Sequence, residues 1–165
     1  NDFIEVFEDK VIQPDGKDGE YATVQMKAGV CVLPIDDEGN VYLTKQFRYS
    51  LGADSLETPC GAIEDEEPLE AAKREVKEEL GIEAEEWISL GTAETDTSIV
   101  RSKAHFFLAR KLKFTETERE GTEAMKPVKM NFDEAVEKVL NGEIRHALSC
   151  VLILKAKLLK DKKDF

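Results

Sequence analysis

Residues Glu57 to Ile82 read ETPCGAIEDEEPLEAAKREVKEELGI, and the second half of this stretch decides the architecture. Arg74-Glu75-Val76-Lys77-Glu78-Glu79-Leu80-Gly81 places three carboxylates within five residues, on a segment whose apolar positions recur at helical spacing. At about 100° per residue, Leu69, Ala72, Val76 and Leu80 fall in one narrow stripe, with Glu79, Glu75 and Glu78 in an arc directly beside it. Pro68 has no amide hydrogen to lose in a first turn, and Gly81 is placed to end the helix in a left-handed conformation. The spacing therefore predicts a helix with a wall of carboxylates next to a buried seam.

Clustered like charges three and four apart destabilise a helix slightly, and the ordinary reading of such a run is a solvated acidic face. Context favours another. Hard divalent cations such as Mg²⁺ take oxygen ligands, and carboxylates that converge on an ion turn repulsion into coordination. Here the arc adjoins the apolar stripe instead of opposing it, and a Gly-containing turn and a further Glu precede it.

The stretch resembles the Nudix box, which runs as Gly, five residues, Glu, seven residues, then Arg-Glu, an apolar residue, any residue, Glu-Glu, any residue, Gly and an apolar residue. Arg74, Glu75, Val76, Glu78, Glu79, Gly81 and Ile82 occupy their places, and Glu66 precedes Arg74 with seven residues between them. The glycine half departs. The motif position falls on Cys60, whereas Gly61 lies one residue later, so either the loop is one residue short or Cys60 replaces the glycine.

Outward from the box, Phe3 to Ile12 and Tyr21 to Lys27 alternate like strands around the turn Pro14-Asp15-Gly16, which predicts an N-terminal β-hairpin or meander. Ala28 to Ile35 and Val41 to Tyr49 read as buried strands joined by a hairpin turn at Asp36 to Asn40. Downstream, a short strand is expected over Trp87 to Thr92, a polar loop over Asp96 to Arg101, a strand over Ala104 to Leu112, a loop over Phe114 to Lys126 and a last strand over Val128 to Met130. Asn131 is a candidate N-cap for a helix from Phe132 to Leu140, stopped by Asn141-Gly142, and a second helix is expected from about Ile144 to Leu159. Strands on both sides of one helix, with helices at the end, suggest an α/β sandwich. The resemblance implies a Nudix fold: α/β, with a mixed β-sheet sandwiched between helices (α/β/α).

Further segments resemble the ADP-ribose pyrophosphatase-like branch of that family: Val11 to Gly16, Ala28-Gly29-Val30, Gln46-Phe47-Arg48-Tyr49, Glu57-Thr58-Pro59-Cys60-Gly61 and Asn141-Gly142-Glu143-Ile144. On this resemblance residues 1–27 form a strand segment that serves as a dimerisation element, and 28–165 form the hydrolase domain. Glu75, Glu78 and Glu79 are assigned to metal binding, Glu66 to the metal shell or the layer behind it, and Arg74 to orienting a box carboxylate. Arg48, Glu57 and Gly61 belong to substrate-facing segments. The family's further acidic residue falls among Glu116, Glu118, Glu120 and Glu123, with Glu123 aligning best, so the general base is Glu79 or Glu123. His105 and His146 read as a packed strand residue and a helix-start residue.

The rest of the composition bounds the function. The 165 residues suffice for one well-cored domain, and 41% hydrophobic with 35% charged content is that of a soluble globular protein. No apolar run approaches the roughly 20 residues that cross a bilayer, and the N-terminal residues do not read as an export signal. A net charge of −12 without a concentrated basic patch argues against nucleic acid. Cys31, Cys60 and Cys150 are odd in number and far apart in sequence, which fits reduced thiols in a cytoplasm. The expected activity is Mg²⁺-dependent hydrolysis of a nucleoside diphosphate derivative, a small-molecule substrate, with Mn²⁺ as a substitute ion. ADP-ribose, split to AMP and ribose 5-phosphate, leads. A nucleotide-sugar or broad-range diphosphatase, and a non-catalytic nucleotide sensor, are the alternatives; the intact carboxylate set speaks against the sensor. A homodimer is expected.

Overall fold

The computed structural model of the chain describes residues 1–116 and 125–162. Nine strands and three helices follow one another along it: β1 (Ile4–Ile12), β2 (Asp18–Met26), β3 (Gly29–Pro34), β4 (Asn40–Arg48), β5 (Ala53–Glu57), β6 (Cys60–Ala62), α1 (Pro68–Leu80), β7 (Ile82–Asp96), β8 (Val100–Phe114), β9 (Met125–Asn131), α2 (Phe132–Leu140) and α3 (Ala147–Asp161). Six strands form a mixed sheet ordered β1-β2-β8-β3-β6, with β7 also on β8, and three form a second sheet ordered β5-β4-β9. β8 runs parallel to β2 and β3 and antiparallel to β7.

The pleat decides which layer each residue serves. On β3, Val30 and Val32 point to α1 while Cys31 and Leu33 point to α2 and α3, and on β8 Phe107 and Ala109 divide from Phe106 and Leu108 in the same way. Successive side chains on a strand face opposite sides, so a strand buried on both faces reads as one continuous apolar run. Removing side chains such as Phe106 and Leu108 from water contributes about 1.5–3 kcal/mol each. The result is the expected α/β/α arrangement, with the sheet strands split into two groups where one sheet was anticipated.

That split corrects the hairpin expected at Asp36 to Asn40. The turn is tight, but β3 and β4 part into different sheets and meet only through an isolated bridge, Ile35 to Val41. Both strands are apolar on both faces, so each takes a central place in its own sheet instead of pairing edge to edge. Other elements are longer than their patterns suggest. β7 runs through Glu83, Glu85, Glu86 and Glu94 and is held along its length to β8, with cross-strand ion pairs such as Glu85 to Lys113 at 2.6 Å. Those charges hide the strand periodicity, and the ladder shifts register between Ser89 and Thr92, where Gly91 adopts a φ of 81°. α3 starts at Ala147, later than expected, because Ile144 is buried in the preceding turn and its amide bonds to Lys138 O.

Candidate active site

α1 forms where the sequence predicts it. Pro68 occupies the first turn and Gly81, at a φ of 63°, closes the helix while its amide donates to Lys77 O. Ala71, Ala72, Val76 and Leu80 are buried against the sheet, and Glu79 joins them at 6% exposure, so the acidic arc starts inside the protein and opens outward through Glu75 and Glu78. Ala71 is the one member of the seam outside the predicted stripe.

Arg74 organises the carboxylates. Its Nη1 donates to Glu75 Oε1 at 2.7 Å and to Glu78 Oε2 at 3.2 Å, its Nη2 and Nε to Glu66 Oε1 at 2.8 and 3.1 Å, and Nη2 also to the Ala62 carbonyl at 3.0 Å. One guanidinium therefore ties the loop glutamate, two helix glutamates and β6 together. Hydrogen bonding to Glu66 raises the Arg74 pKa, against burial and with help from Glu75, so the group is a permanent cation.

Gly61 fixes the other side. A Cβ there would lie 1.9 Å from the Glu75 carboxyl carbon, so any side chain at this position would displace the Glu75 carboxylate. Gly61, and not Cys60, is therefore the glycine that meets the box helix, across a loop one residue short. The Cys60 thiol turns inward instead, where burial and the neighbouring Cys31 push it well above its ordinary pKa. The two residues are direct partners across β3 and β6, so cysteines far apart in sequence are adjacent in space, both with free thiols.

Arg48, at the end of β4, and Glu57, at the end of β5, are brought together as a clamp: Arg48 Nε donates to Glu57 Oε1 at 3.1 Å and Nη2 to Oε2 at 2.6 Å. Glu57 is buried at 2% exposure. Burial raises its carboxyl, but Arg48, Ser55 and His146 outweigh it and hold the pKa below the ordinary range. The bond to Glu57 likewise raises Arg48, and burial opposes this.

Three residues of this neighbourhood lie outside the predicted site. Ser149, fully buried, accepts the Thr58 amide at 2.9 Å and stands 3.0 Å from Thr58 Oγ1, and His146 Nδ1 lies 2.8 Å from the same Ser149 oxygen. Their sequence signal is slight: small polar residues at a turn and a helix start are common, and only the fold reveals that α3 begins against the Glu57 to Cys60 segment. His105 sits on β8, opposite Val30 and Thr92, as a strand residue. Glu116 is exposed, and Glu118, Glu120 and Glu123 lie outside the described residues.

The donor set suits a hard divalent ion by chemistry: oxygen ligands only, with the Glu75 carboxylate lying directly against Gly61. Among the described residues no three acidic, His or Cys side chains already stand in metal-ligand arrangement. Arg74 meanwhile bonds Glu66, Glu75 and Glu78 together. No described helix is long and apolar enough to cross a membrane.

Comparison with known proteins agrees with this geometry. The model of the NUDIX domain matches residues 25–148. An ADP-ribose pyrophosphatase of Bacillus subtilis (strain 168) is 30% identical over 153 residues, covering 91% of this chain and 83% of that protein. Another, of Mycobacterium tuberculosis (strain ATCC 25618 / H37Rv), is 27% identical over 154 residues, covering 88% of this chain and 72% of that protein. A solved structure described as an ADP compounds hydrolase superposes with a TM-score of 0.83 at 19% identity, covering 96% of this chain and 88% of that one, and so shares the fold. With its box helix, its glycine cradle and a domain match over most of its length, this chain belongs to the Nudix hydrolase family.

Proposed function

We propose that this Nudix hydrolase cleaves ADP-ribose to AMP and ribose 5-phosphate, with Mg²⁺ as the ion and Mn²⁺ as a substitute. The observation that carries the reading is the Arg48–Glu57 clamp at one end of the short Glu57 to Gly61 segment, whose other end, Gly61, lies against Glu75 of the carboxylate arc, so that a cation for a phosphate and the arc flank one segment. The names of the two curated relatives point to the same substrate.

Glu66, Glu75, Glu78 and Glu79 would hold the ion, which when bound neutralises the diphosphate charge and polarises a phosphoryl oxygen. Arg74 keeps Glu75 and Glu78 oriented, and Gly61 lets the backbone of β6 approach them. Glu79 or Glu123 takes a proton from the attacking water, whose oxygen joins one phosphorus while the bridging bond between the phosphates breaks. Arg48 offers its fork to a phosphate and Glu57 accepts from a ribose hydroxyl. Residues 1–27 serve as the dimerisation element of a homodimer in the cytoplasm, a reading supported by the exposed apolar side chains of the hairpin, Phe3, Val6 and Ile12.

A panel of nucleoside diphosphate derivatives, incubated with Mg²⁺ and separated by chromatography, tests the proposal. Preferred turnover of ADP-ribose to AMP and ribose 5-phosphate is expected. Preference for a nucleotide-sugar would move the substrate, and no hydrolysis of any member would overturn the reading.

A further inference from the structure

His146 stands just ahead of α3, with Nδ1 2.8 Å from Ser149 Oγ and 3.7 Å from Glu57 Oε2. The same Ser149 oxygen accepts the Thr58 amide at 2.9 Å and lies 3.0 Å from Thr58 Oγ1, which in turn is 3.4 Å from Cys60 Sγ. One imidazole therefore touches both the hydroxyl that anchors the Glu57 to Cys60 segment and the carboxylate that grips Arg48.

With the neutral ring's hydrogen on Nε2, the two protonation states ask different roles of Ser149. A ring nitrogen without hydrogen accepts from Ser149, whereas an imidazolium only donates. Ser149 has a single hydrogen and already accepts the Thr58 amide. When His146 donates, the Ser149 hydrogen turns to Thr58 Oγ1 and the Thr58 hydrogen to Cys60, so the hydroxyl chain reverses along its length. The imidazolium also gives Glu57 a second cation next to Arg48, and an Arg that shares its carboxylate is held less tightly.

We propose that His146 is a positioning residue that controls the Arg48–Glu57 clamp: as imidazolium it takes a share of Glu57 and loosens Arg48 toward an anionic diphosphate, and as neutral imidazole it leaves the clamp closed. The proposal rests on the reading that Arg48 meets substrate. The groups that face His146 are Glu57 from β5, Arg48 from β4 and Cys60 from β6, with Ser149 from its own helix. Burial pushes the imidazole down and Arg48 does the same, while the hydrogen bond with Cys60 and the charge of Glu57 raise it, which leaves the pKa above its ordinary value.

Two measurements test it. In Mg²⁺-saturated kinetics on ADP-ribose, KM of the unaltered enzyme is expected to fall several-fold as pH drops through the His146 midpoint. That step should vanish in His146→Asn, which keeps a bonding group for Ser149 but cannot titrate. The same KM profile in both proteins would overturn the proposal. The second measurement needs no substrate. His105 is the chain's other histidine, so NMR can follow the His146 ring directly. Glu57→Gln should lower its midpoint and Arg48→Ala should raise it, and a midpoint unmoved by both would also overturn the coupling. If ADP-ribose is not hydrolysed, shifted midpoints still uphold the coupling while the substrate reading alone fails.

Discussion

Gly61 lies so close to Glu75 that a Cβ would overlap the carboxylate, 1.9 Å from its carbon and 1.9 Å from Oε1. A single methyl therefore forces either β6 or the Glu75 side chain to move, and Arg74, bonded to Glu75 and to Ala62 beside Gly61, transmits the shift. Gly61→Ala is expected to lower kcat by one to several orders of magnitude while the fold survives, since geometry at a reacting centre costs far more than its stability. Steady-state kinetics with parallel thermal unfolding checks this. Activity within a factor of a few of the parent would mean that the cradle has no role.

Glu79 is the most buried member of the arc, at 6% exposure. Glu79→Gln keeps the size and removes the charge. Turnover should fall by orders of magnitude with near-parent thermal unfolding, and chelation of divalent ions should abolish the parent's activity in the same assay. Turnover that survived the substitution, in a folded sample, would sink the catalytic assignment.

Much of this site is written locally. Three carboxylates beside an apolar stripe, Pro68 and Gly81 together specify α1 and its wall of charge, because a helix repeats every few residues and carries its own caps. The clamp is different. Arg48 and Glu57 appear in sequence as two substrate-side residues, but their pairing depends on β4 and β5 lying antiparallel, with Arg48 opposite Ala53 and Thr44 opposite Glu57. β5 and β6 are too short for any alternation to show, and β7 conceals its period behind glutamates that pair across to β8. Ser149 and His146 are illegible for a related reason: Ser149 meets Thr58 across 91 residues of separation and His146 bonds that same Ser149, contacts created only when α3 packs on the sheet.

Asp36 anchors the turn where the two sheets separate. Its carboxylate accepts from the Asn40 amide at 2.7 Å, the Glu38 amide at 3.1 Å and the Tyr42 hydroxyl at 2.9 Å, and pairs with Lys129 at 3.1 Å. Burial raises its pKa, and these donors outweigh that and bring it from 3.8 down to about 2. A carboxyl whose folded pKa is depressed stabilises fully above its unfolded value, and the contribution is lost as pH falls from about 4 toward about 2. Asp36→Asn should therefore lose on the order of 1 to 2 kcal/mol at neutral pH and converge with the parent near the acid end of that window. Urea unfolding at pH 7 and at pH 3 reads the difference. A constant gap at both would show that the turn depends on shape and not on charge.

The hairpin of β1 and β2 leaves Phe3 77%, Val6 65% and Ile12 70% exposed, and among the described residues β1 pairs with β2 alone. Exposed apolar strands at a sheet edge invite a partner. α3 adds Val151 and Leu158 at 44% and 63% exposure, beyond the buried stripe of Leu152, Ile153 and Ala156. A second copy of the chain is the expected cover. Light scattering on an active sample at micromolar concentration should give twice the chain mass of 18.5 kDa. A monomeric mass in that sample would remove the dimerisation role of residues 1–27.

Substrate recognition by Arg48 and Glu57 separates an ADP-ribose enzyme from a generic diphosphatase. Glu57 is almost wholly buried and Arg48 reaches it with Nε and Nη2, so Arg48→Ala strands a carboxylate; breaking a fully buried pair from one side costs roughly 3 to 5 kcal/mol, less here because the Arg48 side chain is 39% exposed to solvent and His146 stands 3.7 Å from Glu57. The variant should thus unfold at a lower temperature and, while folded, show a raised KM for ADP-ribose with a smaller loss in kcat, as expected for contacts shared by ground and transition states. Arg48→Lys separates the two effects. It restores a cation for Glu57 but not the planar fork, so stability should recover further than KM does. Glu57→Gln leaves Arg48 charged but unplaced, and its effect should depend on the sugar more than on the diphosphate. Each variant is to be measured on ADP-ribose and on a nucleotide-sugar with a different base and hexose. Equal losses on every substrate would make the clamp a structural tie between β4 and β5, and the box would then argue for hydrolysis without any residue that selects ADP-ribose.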